Sequence, residues 1–97
     1  MEAYMILRRR GWRTAEELQK AVARSTAEGG RMPDDVAWIR SYVLTERGGT
    51  FGTVCIFQAS GPEAIRRHAA AADIPVDEIV KVADTVIVRP DPAVIAA

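Results

Sequence analysis

Two short signals constrain this chain more than anything else in it. Thr14-Ala15-Glu16-Glu17 and Ser60-Gly61-Pro62-Glu63 each set a hydroxyl three residues ahead of a glutamate. In a capping box the hydroxyl accepts from a first-turn N–H while the carboxylate reaches back, so each marks a helix start. Pro62 falls in the first turn, where its missing N–H costs nothing. Reading outward from these two points divides the 97 residues into six elements.

The run Ala3 to Arg9 is apolar and closed quickly by Gly11, which favours a strand. The first helix presents Ala15, Leu18, Ala21, Val22 and Ser25 on one face, and Gly29-Gly30 supplies a left-handed residue to end it. Val36 to Thr45 alternates as a strand, with Val36, Trp38, Arg40, Tyr42 and Leu44 on one face and Ala37, Ile39, Ser41 and Val43 on the other. Glu46 to Thr50 is a hairpin loop whose glycines can take positive φ, and Phe51 to Ala59 returns as a strand. The second helix carries a stripe of Ala64, Ile65, His68, Ala69 and Ala72. Asp73-Ile74-Pro75 breaks it, and Ile79 to Arg89 is a final strand ended by Pro90 and Pro92.

The order βαββαβ predicts an α+β, ferredoxin-like domain spanning residues 1–97: a four-stranded antiparallel sheet with two helices on one face. The other face has no cover within the chain. Because it carries aliphatic residues, burial against a second copy is expected, as in dimeric α/β-barrel association. Thirteen basic residues balance thirteen acidic ones, so no nucleic-acid or anionic-membrane partner is indicated. The N-terminus MEAYMILRRR has an apolar run too short for a signal peptide, and a lone cysteine suits a reducing compartment. A cytoplasmic domain is the expectation.

Cys55 and His68 are the sharpest candidate pair. Thiolate and imidazole both bind late first-row divalent ions, and together they are the parts of a Cys-His nucleophile. A lone cysteine in a strand is more often a small buried hydrophobe, and a histidine on an apolar stripe a hydrogen-bonded core residue. One imidazole and one thiol fall short of the donors a transition metal needs, so carboxylates such as Glu63 or Asp84, or a second chain, must complete a site. Strand parity decides whether the pair can meet. If Cys55 faces the helices, then Cys55, Tyr42 and His68 line one polar pocket beneath the second helix; Trp38 and Phe57 filling space there favours this register. If Val54 and Ile56 face the helices, the pair is split. Tyr42 and Arg40 are the candidates for holding a ligand or cofactor, and Ser41 is expected on the opposite face. Arg8-Arg9-Arg10 with Trp12 and Arg13 reads as a solvated strand end. Gly48-Gly49 opens no helix, so no phosphate loop and no organic cofactor are indicated.

The segments WIRSYV, VCIFQA, PEAIRRHA and IPVDEI resemble a family of small, mostly actinobacterial ferredoxin-like proteins of unknown function that includes a nickel-binding, dimeric member. The resemblance runs from the first strand to Pro90, although the loop RGGTFGT is longer than the family's usual hairpin. It implies the fold, a homodimer and binding of nickel or a similar divalent metal. Two functional expectations follow. One is a small-ligand or metal-binding homodimer with His68, Cys55 and Glu63 as ligands. The other is a dimeric α/β-barrel enzyme, of isomerase or cofactor-independent monooxygenase type, in which Tyr42, His68 and Arg40 serve a small hydrophobic substrate.

Overall fold

In a computed structural model describing residues 1–93, the elements are β1 (Glu2–Trp12), α1 (Ala15–Gly30), β2 (Val36–Thr45), β3 (Phe51–Ala59), α2 (Pro62–Ala72) and β4 (Glu78–Lys81). The strands form one antiparallel sheet in the order β2-β3-β1-β4, the ferredoxin-like arrangement expected from the element order. Both helices pack on the face that carries Tyr4, Ile6 and Arg8 of β1 and Thr53, Cys55, Phe57 and Ala59 of β3, all of them buried.

The two helix starts differ. Thr14 accepts from the Glu17 N–H at 3.1 Å, and the Glu17 carboxylate accepts from the Arg13 N–H at 2.8 Å, so the first capping box forms. The second does not. Pro62 is the first helical residue and Gly61 the N-cap, which leaves Ser60 outside the helix, where its hydroxyl donates to Asp35 at 3.0 Å. The stripe of α2 is buried in full: Ala64, Ile65, His68, Ala69 and Ala72. On α1 only Ala21 and Ser25 are buried. Its C-cap is Arg31 at φ −87°, so neither glycine is left-handed there; the positive-φ glycines are Gly48 and Gly49 in the hairpin loop.

A bulge in β2 overturns the strict alternation expected for that strand. Trp38 pairs with Phe57 but Arg40 pairs with Ile56, so one extra residue, Ile39, lies between them. Beyond it Ser41 and Val43 share the helix-covered side with Trp38, while Arg40, Tyr42 and Leu44 are turned to the open face. Trp38 stacks on Phe57 with centroids 5.8 Å apart and planes 7° apart, a contact worth on the order of 1 kcal/mol beyond burial.

The last strand is far shorter than Ile79 to Arg89. In register, Lys81 pairs with Tyr4 and the Val82 N–H donates to Ala3, so β1 runs out of residues to pair a few positions later. The segment after Val82 leaves the sheet edge and turns over the open face, where Asp91 accepts from Tyr42 at 2.9 Å and pairs with Arg40 at 3.2 Å.

Candidate functional site

The register puts Cys55 and His68 on the same side of the sheet, but in different surroundings. His68, 1% exposed, lies under α2, where its Nε2–H donates to the Ser25 carbonyl of α1 at 2.9 Å and its ring tilts against Phe57 at 5.4 Å. That bond places the ring proton on Nε2 and occupies the nitrogen that faces α1. Cys55 lies under α1, its Sγ–H donating to the Thr53 hydroxyl at 3.5 Å. Glu63 is exposed in the first turn of α2, and Asp84 is exposed with its carboxylate bonded to the Thr85 N–H. Among the described residues, no three His, Cys, Asp or Glu side chains come together to hold a metal ion.

Tyr42 and Arg40 do not join that group. The bulge at Ile39 sends both to the open face, against Asp91, and Ser41 takes the inward place instead. The expected pocket of Cys55, Tyr42 and His68 therefore does not exist. In its place Trp38 Nε1–H donates to Ser41 Oγ at 2.7 Å along the inner side of β2.

Two neighbouring spaces lie between α1 and the sheet. An inner cavity of about 50 Å³ sits under α1, walled by Trp12, Trp38, Ser41, Thr53 and Cys55. Arg8, 1% exposed, reaches into it from β1. An open cleft of about 730 Å³ runs along the α1–β2 edge and shares Val22, Ser25, Trp38, Ser41 and Phe57 with the inner cavity. His68 lines the cleft near its α2 end.

Arg8 is the residue that reading by composition misses. Within the run Arg8-Arg9-Arg10 it looks like one more surface cation, yet it continues the Tyr4, Ile6 row toward the helices. Period-two counting from Tyr4 was the signal that could have found it. Its neighbours go elsewhere: Arg9 and Arg10 bulge out of β1, where Arg9 pairs with Glu46 and the Arg10 N–H donates to the same carboxylate. Arg8 Nη1 is buried with no hydrogen-bond partner among the described residues, the one such side-chain atom found there. Burial holds its pKa below the usual guanidinium value, opposed by Cys55 and Asp77.

Together the sheet, the two helices and the edge cleft define a ferredoxin-like α+β domain with room for a small molecule between α1 and β2. A family model described as nickel responsive protein SCO4226-like matches residues 4–82, and the chain belongs to that family. Among solved structures it is similar to SCO4226 from Streptomyces coelicolor A3(2), at 19% identity and a TM-score of 0.66, covering 87% of this chain and 99% of that one. It is also similar to SnoaB, a cofactor-independent oxygenase from Streptomyces nogalater, at 17% identity and a TM-score of 0.48, over 93% of this chain and 100% of that one. No curated protein sequence matches. The family resemblance carried by WIRSYV, VCIFQA and PEAIRRHA is thus the family found. No helix of the described residues is long and apolar enough to cross a membrane.

Proposed function

We propose that this chain is a cytoplasmic, homodimeric ligand-binding protein that takes a small molecule into the α1–β2 cleft. The observation that carries the reading is the cleft itself: about 730 Å³, beside an inner cavity lined by two tryptophans. That volume lies within the 300–1,000 Å³ usual for small-molecule sites. The half-buried Met5, Leu7, Val54 and Ile56 on the open face supply the aliphatic surface for a second copy.

A second reading, nickel binding, is favoured by the family's description. The residues of one chain do not fit a nickel site. His68 Nε2 is engaged by Ser25, Cys55 is buried under the other helix, and Glu63 is exposed. For an enzyme, the grouping of Tyr42, Arg40 and His68 is lost because the first two lie across the sheet.

Binding is tested with naphthalene-2-methanol, an uncharged apolar probe, followed through the indole N–H signals of Trp12 and Trp38 by NMR. A saturable shift in Trp38, abolished in a Ser41→Trp variant that fills the cleft, supports the proposal; an unresponsive Trp38 at millimolar probe removes it. Sedimentation at micromolar concentration reads the dimer, and a monomeric mass removes that part.

A further inference from the structure

We propose that the inner cavity under α1 is the headgroup site for an apolar carboxylic acid, with Arg8 as the residue that recognises the carboxylate. The inference rests on the cleft being a ligand site, and specifies what kind of molecule it takes.

The first argument is the missing counter-charge. A buried guanidinium is ordinarily paired, because desolvating a cation without a partner is costly. No acid of the surrounding elements bonds Arg8 Nη1, and the following are committed elsewhere. Glu46 holds Arg9 and the Arg10 N–H, Asp77 accepts from the Arg9 N–H, Glu17 caps α1, and Glu16 pairs with Lys20. Arg8 lines the cavity, and its buried Nη1 is left without an acceptor.

Two hydroxyls accompany Arg8 among the lining residues. Ser41 Oγ accepts from Trp38 and Thr53 Oγ1 accepts from Cys55, so each hydroxyl has its own proton left to give. A guanidinium and two hydroxyls thus belong to residues lining one small, otherwise apolar space, and all three are groups that can bond a carboxylate. A metal ion would find the opposite polarity there.

Size and charge then select the ligand. About 50 Å³ holds only a few non-hydrogen atoms, enough for a carboxylate but not for the molecule that carries it. The remainder must lie in the cleft beyond Trp38 and Ser41, among Val22, Phe57 and the helix face. A single guanidinium balances one negative charge, which favours a carboxylate over a dianionic phosphate.

The test compares sodium naphthalene-2-carboxylate with naphthalene-2-methanol, titrated into the wild-type chain and into Arg8→Met and read on the two indole N–H signals. The expected result is at least tenfold tighter binding of the carboxylate to wild type, with both Trp12 and Trp38 responding. In Arg8→Met the preference disappears, the two probes binding alike. Equal affinities in wild type overturn the inference but leave the cleft as a ligand site, as does a preference that survives Arg8→Met. If neither probe binds, the cleft reading fails and the inference falls with it. The wild-type comparison stands without any variant, and Thr53→Val, expected to weaken the carboxylate alone, gives a second test.

Discussion

Trp38 and Ser41, three residues apart on one strand, meet on the same side of the sheet because the bulge at Ile39 adds a residue between them. An odd separation in a regular strand puts two side chains on opposite faces. The extra residue exchanges the faces of everything downstream on β2, and so sends a serine inward and a tyrosine outward.

Ser41→Ala removes the acceptor for a part-buried indole N–H. Destabilisation of about 0.5–1.5 kcal/mol is expected in urea unfolding, together with a shift of the Trp38 indole signal. An unchanged midpoint would show that solvent satisfies this donor equally well.

Arg8→Met is expected to stabilise the chain, by about 1–4 kcal/mol, since an apolar side chain of similar length replaces a buried charge without a partner. A higher melting temperature with carboxylate selectivity gone is the signature of a residue kept for binding at a cost in stability. A lower melting temperature would mean that Arg8 has a structural partner.

His68→Ala should cost roughly 3 kcal/mol, from the vacated volume against Phe57 and the lost bond to Ser25. Nickel titrated calorimetrically into wild type and into the conservative variant His68→Gln should give the same isotherm. A stoichiometric heat lost on substitution would restore His68 as a ligand.

Glu46 sets an acid limit. The Arg10 N–H and then the Arg9 guanidinium hold its carboxyl below the usual carboxylate range, against the opposing effect of burial. Because the folded value is the lower one, this stabilisation is fully present above the unfolded pKa and is lost as pH falls through the folded value. Between pH 6 and pH 2 the wild type should therefore lose more thermal stability than Glu46→Gln. Parallel curves for the two would exclude the clamp as the source.

Gly52→Ala should destabilise by about 1–3 kcal/mol. A Cβ built there comes within 2.5 Å of both the Arg8 carbonyl and the Glu46 carboxylate, and the first of these is backbone that cannot swing away. Thermal unfolding measures it, and an unchanged melting temperature would show that β1 and the hairpin can separate freely.

The architecture was readable because each element carried its own local signal: two helix starts, the α2 stripe, and alternating β3 with its aromatics. The facing of β3, and with it Cys55, followed from Trp38 and Phe57 needing cover. Tyr42 and Arg40 were misplaced because a one-residue bulge leaves no mark in composition, and Ile39 looks like any other strand residue. The second capping box was legible but unused, since Pro62 could begin the helix one position later than a serine cap requires. The length of β4 depended on where β1 begins, a relation between distant segments that no local pattern holds. Arg8 sat among arginines, and only its place in the alternation separated it from them.

Among the described residues, the hydrogen bonds that tie α1 to another element run to α2. Ser25 takes the imidazole of His68, and Arg24 reaches the Ala72 carbonyl at 2.8 Å and the Asp73 carbonyl at 3.4 Å, all of them at α2. Toward β2 it offers Val22 and the small residues that border the cleft. The helix is thus moored to α2 at Arg24 and Ser25, with its Val22 side bordering the opening. Arg24 lines neither space, so a substitution there changes the seating of α1 while every residue that borders the opening stays as it is.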